Sequence, residues 1–222
     1  MQKRLITISK NILILLGTFV VYQVAMLPQI IAEYVANIEI VKVILAVMYI
    51  AAAGATILLL WQIYQYLLQR NRSQAGIEPF TKKTLYFMVL ILALWALFMF
   101  CSAWYSKWIG GGQTPENQQI INDLIRKLPV WTFFDVVIFG PISEELIFRG
   151  IFFELFFKSE KNWVQALGIL VNGILFGSLH DTGSAFPIYA IMGCLLAFTY
   201  VKTKDIRCSM FVHILNNFIS YI

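Results

Sequence analysis

The chain has 222 residues, of which 59% are hydrophobic and only 13% charged, with a mean hydropathy of +0.74. Soluble domains run nearer about 45–50% apolar, and here the apolar residues come in long runs, not in the short alternation of a transmembrane β-barrel; the composition indicates an all-α, polytopic helical membrane protein. The net charge of +5 would suggest nucleic acid in a soluble protein, but the basic residues sit in short loops between apolar runs, where they set topology, so no nucleic-acid partner is expected.

A bilayer-crossing helix needs roughly 20 apolar residues. In chain order the candidate spans are Ile12–Ile31, Ile40–Leu67, Thr84–Trp104, Val130–Phe157, Trp163–His180, Ala185–Val201 and Cys208–Ile222. The last is short, about 22 Å at 1.5 Å per residue. Lys3, Arg4 and Lys10 ahead of the first run resemble a signal sequence. The run is too long for one and no small-x-small cleavage site follows, so a retained span is expected.

With the N-terminus in the cytoplasm, the inside segments carry Lys3, Arg4, Lys10, Arg70, Arg72, Lys82, Lys83, Lys158, Lys161, Lys202, Lys204 and Arg207. The outside segments carry Lys42, Lys107, Arg126 and Lys127. This asymmetry predicts seven spans, a cytoplasmic N-terminus and an outside C-terminus. The short loops suggest a prokaryotic chain in the cytoplasmic cell membrane.

Residues 1–222 read as a single transmembrane domain, with three spans in 1–110 and the site helices in 129–222; the loop Arg70–Lys83 is the only internal boundary. A polar tract opens at Gly110. Ile120, Ile121, Leu124, Ile125 and Leu128 then recur at helical spacing. They predict a short amphipathic helix over Glu116–Leu128, lying at the interface beside a substrate entrance or serving only as a connector. Cys101, Cys194 and Cys208 are odd in number and lack a Cys-x-x-Cys, which indicates neither a disulfide framework nor a zinc knuckle; small buried packing residues are expected.

The chemistry concentrates in three places. Glu144 and Glu145 lie in an apolar segment with Arg149 four residues later. Carboxylates at membrane depth cost roughly 2.5–3.5 kcal/mol each on insertion scales, so they mark function by default. On a helix Glu145 and Arg149 share a face, while Glu144 points about 100° away. Arg149 is therefore expected to hold Glu145 ionised and fixed, leaving Glu144 to face a cavity as a general base for water. Pro141 removes a backbone donor just upstream and can leave carbonyls open. A buried ion pair used only for helix packing would look similar.

Phe176 and His180 are again four apart, beside a Gly173/Gly177 small-residue pair that admits another helix closely. His213 and Asn217 share a face and could together donate to an oxyanion; interhelical hydrogen bonding alone is the plainer alternative. Asn216 sits on a different face. On straight spans His180 falls near the outer end of its helix and His213 near the inner end of its own, which keeps them apart unless Asp181–Pro187 dips into the protein.

The order Glu-Glu-x-x-x-Arg, Phe-x-x-x-His, His-x-x-x-Asn, with Gly140-Pro-Ile-Ser-Glu-Glu-Leu-Ile-Phe-Arg-Gly150 between, closely resembles the CAAX protease and bacteriocin-processing (Abi-type) family over roughly 139–218. The resemblance implies an intramembrane endopeptidase acting on a membrane-associated peptide or protein within the lipid bilayer. It implies that Glu144 activates water with His180 helping to hold it, that Glu145 and Arg149 order the site, and that His213 and Asn217 bind the oxyanion. Family members have been described as metal-free and as metalloproteases. A set of His180, His213 and Glu144 could hold zinc with an open position, although no His-Glu-x-x-His is present; a metal-free site is preferred. Two other functions compete: a non-catalytic immunity or regulatory protein binding another membrane protein, and a proton-coupled transporter, disfavoured by the absence of inverted repeats.

Overall fold

The computed structural model describes residues 2–34, 39–72, 75–76, 80–108 and 114–222, and these are helical almost throughout. The tract opening at Gly110 lies outside the described residues up to Gln113. We number the helices α1 (Gln2–Ala25), α2 (Leu27–Tyr34), α3 (Glu39–Asn71), α4 (Lys82–Trp108), α5 (Glu116–Lys127), α6 (129–156), α7 (Asn162–His180), α8 (Phe186–Thr203) and α9 (Ile206–Tyr221).

Each expected span is a helix. The first is divided at Met26, where the chain turns through a bond from Met26 N–H to the Gln23 carbonyl, and Pro28 sits in the first turn of α2. A proline there removes only an N–H that a helix start leaves unpaired in any case. Among the described residues five helices are long and apolar enough to cross a membrane: 5–34 taken together, α3, α4, α7 and α8. The two remaining spans, α6 and α9, fall short of that measure for physical reasons. α6 carries Asp135, Glu144, Glu145, Arg149 and Glu154, and α9 has only 16 residues. These are two of the helices that build the site. The outer surface is covered by exposed Leu, Ile, Val and Phe, including Leu13, Leu58, Phe100 and Leu170. So much contiguous apolar surface is what lipid tails cover.

α6 is not a uniform helix. Pro129–Phe133 is α-helical, Phe134–Phe139 is π-helical, Gly140–Glu145 is α-helical, Leu146–Ile151 is π-helical, and Phe152–Phe156 is α-helical again. In the first widened turn Gly140 N–H reaches back five residues to the Asp135 carbonyl. The Val136 carbonyl would pair in that register with residue 141, which is proline and has no N–H. The Asn217 side-chain amide fills the gap, donating to Val136 O at 2.8 Å. In the second widened turn the fully buried Asn172 donates to Phe148 O at 2.6 Å.

α7 and α8 form the tightest pair. Gly173, Gly177 and Gly193 make the seam: a Cβ on Gly177 would lie 2.8 Å from the Ala190 backbone nitrogen, and one on Gly193 2.9 Å from Gly173 Cα and Phe176 Cβ. Gly193→Ala is expected to cost about 1–3 kcal/mol through overpacking, read as a lower melting temperature in detergent.

The N-terminal helices pack on this unit. Asn11 donates to the Leu155 carbonyl at 2.7 Å, Phe19 meets Phe148 edge-on at 5.5 Å, and Tyr64 and Tyr200 share a hydroxyl–hydroxyl bond of 3.1 Å. After α3 the chain is pinned at Gly76, which pairs with Lys204 O and Ile206 N–H at a φ of +142° that favours glycine. Of the cysteines, Cys208 is buried, Cys194 half-buried and Cys101 exposed, all unpaired. Cys101 thus corrects the expectation of three buried packing residues: it lies on an outward face of α4.

Candidate active site

Glu145 and Arg149 lie one turn apart on α6, and both side chains are 0% exposed. Arg149 Nη1 is 3.0 Å from Glu145 Oε1, and Nη2 donates to the Gly193 carbonyl at 3.1 Å. The guanidinium also lies over the Phe176 ring, 4.7 Å from its centroid, a favourable placement for a desolvated cation.

Glu145 Oε1 also meets His213 Nδ1 at 2.9 Å. A carboxylate only accepts, so Nδ1 carries the proton and His213 turns Nε2 away from Glu145. His180 is oriented in the same way: Nδ1 is 2.8 Å from the Phe176 carbonyl oxygen, which again requires a proton on Nδ1. Its ring is stacked between Phe176 at 4.1 Å and Tyr189 at 5.2 Å.

Both free Nε2 atoms face Glu144. His180 Nε2 and His213 Nε2 are each 3.7 Å from Glu144 Oε2. That oxygen has no hydrogen-bond partner among the described residues, whereas Oε1 accepts from the Tyr22 hydroxyl at 3.3 Å. The Glu144 side chain is 17% exposed and opens onto a cavity of about 490 Å³. Glu144, His180, His213, Asn216 and Asn217 line it together with Tyr22, Asp135, Tyr189 and one side of α5, and among the described residues no lysine or arginine does. α5 spans Glu116–Lys127, one residue short of the expected helix because Leu128 turns out of it. It lies over the cavity rather than merely connecting two spans, with Asn117, Ile121 and Leu124 in the lining.

The separation expected between the two histidines does not occur. His213 is the eighth residue of a 16-residue helix that begins at Ile206, so it sits near the middle and not at an inner end. The connector after His180 is shallow: Asp181 and Ala185 are buried while Thr182, Gly183 and Ser184 are exposed. Asn217 differs from expectation in another way. One of its two amide hydrogens is committed to Val136 O, and its carbonyl accepts from Asn216 at 3.2 Å. Only the second N–H is left for a ligand.

Tyr22, Asp135 and Tyr189 are cavity residues that the sequence motifs did not mark. Asp135 accepts from Tyr49 at 2.6 Å. A tyrosine in the apolar first span was the one available signal for Tyr22, and it is too common in membrane helices to single out. As to a metal, no group of three or more His, Cys, Asp and Glu side chains among the described residues is arranged to hold one. The nearest set is Glu144 with the two imidazoles, whose partnered Nδ1 atoms and free Nε2 atoms would also orient them for a cation.

Residues 126–219 match the family described as Rce1-like, type II CAAX prenyl endopeptidase. The chain is 32% identical over 133 residues to YdiL, a candidate membrane peptidase of Bacillus subtilis (strain 168), covering 56% of this chain and 53% of that protein. It is 33% identical over 111 residues to the membrane-embedded CAAX protease MroQ of Staphylococcus aureus (strain USA300), covering 49% and 44%. Against the UPF0177 protein YvdC of Lactococcus lactis subsp. lactis (strain IL1403) it is 26% identical over 132 residues, covering 59% and 49%. The chain thus spans about half the length of the curated relatives it matches. No solved structure matches.

Proposed function

We propose, from the match of residues 126–219 to the CAAX-type membrane endopeptidase family, that this multi-pass membrane protein hydrolyses a peptide bond in a membrane-associated peptide or protein. The observation that carries the reading is the convergence of two imidazole nitrogens on one unpartnered oxygen of Glu144, each at 3.7 Å. A water in that space is held by His180 Nε2 and loses its proton to Glu144 as it attacks the carbonyl carbon. The oxyanion is met by His213, as an imidazolium between Glu145 and Glu144, and by the second N–H of Asn217. Glu144 then passes the proton to the leaving amine, which balances the step. Arg149 and Glu145 touch no substrate in this scheme and keep His213 in place.

Tyr22 belongs to the scheme as a positioning residue. Its hydroxyl fixes Oε1 of Glu144 and so directs Oε2 toward the imidazoles. Tyr22→Phe keeps the ring and removes one hydrogen bond to a charged group, worth about 1.5–3 kcal/mol. We expect kcat to fall roughly tenfold to a hundredfold with KM unchanged, measured by steady-state peptide cleavage. A change in KM alone would point to substrate contact instead.

Metal-free hydrolysis is the preferred chemistry. Stoichiometric zinc in purified, active protein, with activity lost to chelation and restored by zinc, would overturn it. The test of the function itself compares precursor peptides by mass spectrometry in membranes from cells with and without the gene, followed by cleavage with purified protein. A cellular phenotype that survives loss of both Glu144 and His180 would mean that the chain acts by binding a partner. The membrane is proposed to be the prokaryotic cytoplasmic membrane, with the N-terminus in the cytoplasm.

A further inference from the structure

The two ends of the helix bundle differ in charge. At one end α3 meets the end of α6, where Asn71 donates to the Glu154 carbonyl at 2.8 Å and accepts from Lys158 at 2.9 Å. Lys204 pairs with Glu160 at 2.7 Å, and its charge and hydrogen bond hold that carboxyl below the usual carboxylate range. Gly76 is bonded to the turn between α8 and α9, and Asn11 of α1 reaches Leu155. The basic residues of 70–72, 82–83, 158–161 and 202–207, with Lys10, therefore gather on one side.

At the other end Tyr105 donates to the Ser184 carbonyl, Tyr221 to the Pro129 carbonyl, and Lys127 pairs with Glu33. Basic residues are few there, and three are matched by acids: Lys42 by Glu39, Arg126 by Asp123, and Lys127 by Glu33. The cavity belongs to this second end. Its lining comes from the last turns of α1 and α4, from α5, from the stretch 135–144 of α6, from Phe176 and His180 at the end of α7, from Ile188, Tyr189 and Met192 in the first turns of α8, and from the second half of α9. Among the described residues none of the lining comes from the basic end.

Lys/Arg-rich ends of membrane proteins face the cytoplasm. We infer that the site is reached from the non-cytoplasmic side, beneath α5, so that the peptide segment it admits is one already exported across the membrane or anchored in the outer leaflet. That the admitted segment is a peptide to be cleaved rests on the protease reading, but the sidedness stands on charge and geometry alone. A cavity with carboxylates at Asp135 and Glu144 and, among the described residues, no lysine or arginine further favours a neutral or cationic segment over an acidic one.

The experiment uses the full chain in a background with Cys101, Cys194 and Cys208 replaced by alanine. Ser184→Cys marks the cavity end and Ser159→Cys the basic end, each probed with a membrane-impermeant maleimide in intact and in permeabilised cells. We expect Ser184→Cys to label equally in both and Ser159→Cys to lose its labelling in intact cells. Labelling of Ser159→Cys in intact cells, or labelling of Ser184→Cys only after permeabilisation, would overturn the inference. Because no cleavage is read, this outcome is independent of the Glu144 experiments: a failed orientation leaves the protease reading standing, and an inactive protein leaves the orientation standing.

Discussion

Glu144→Gln is expected to lower peptide hydrolysis by about 10²–10⁴-fold, the usual contribution of a positioned general base, while the protein accumulates and melts like the parent. The two halves of this expectation have separate causes. The amide cannot take a proton from water, so the base is lost. The fold is spared because Glu144 contributes little to it. Its Oε2 has no hydrogen-bond partner among the described residues, its Oε1 has one long bond to Tyr22, and the side chain opens on the cavity. Cleavage rate and melting temperature measured on one preparation check both halves, and full cleavage by the variant would remove Glu144 from the chemistry.

The neighbouring position is expected to behave in the opposite way. Arg149→Ala leaves the Glu145 carboxylate in a wholly buried place without its guanidinium partner, and breaking a buried pair from one side costs about 3–5 kcal/mol. Set against a typical total of roughly 5–15 kcal/mol, that loss should show as a large fall in melting temperature and in accumulated protein. The paired change Glu145→Gln with Arg149→Met removes both charges together, and we expect it to recover most of the stability without recovering cleavage. A single Arg149→Ala as stable as the parent would mean that the pair does not hold the fold. Adjacent carboxylates thus separate by experiment into one that serves the reaction and one that serves the structure.

The different surroundings of Glu144 and Glu145 are legible in the sequence, because a helical step of about 100° between neighbours is enough to send one to the cavity and the other to the interior. So are the helices themselves, the pairing of Phe176 with His180, and the close approach at Gly173 and Gly177, all of which follow from local spacing. What the sequence did not carry is depth. Straight spans would keep His180 and His213 apart. The widened turns of α6 and the position of His213 midway along α9 could not be read from hydropathy. Tyr22 was missed because it comes from a helix that carries no motif and meets Glu144 across 122 positions of chain. Asn217 was recognised as facing the site, yet its bond to Val136 follows from the missing N–H of Pro141 and the five-residue register together. Neither alone would have shown it.

The two widened turns on either side of Glu144 and Glu145 have a consequence for how this helix tolerates change. A π-turn accommodates an extra residue within an otherwise α-helical ladder, so α6 consists of three stretches whose rotational phases are decoupled. The first is fastened by Tyr221 at the Pro129 carbonyl, the widened turn after it by Asp135 to Tyr49, and the last stretch by Asn11 and Asn71. The short middle stretch that bears the two acids is thereby insulated: substitutions that twist either flank can be absorbed at the turns before they re-aim a carboxylate. Deleting one residue from either turn would remove that slack and swing Glu144 out of the cavity.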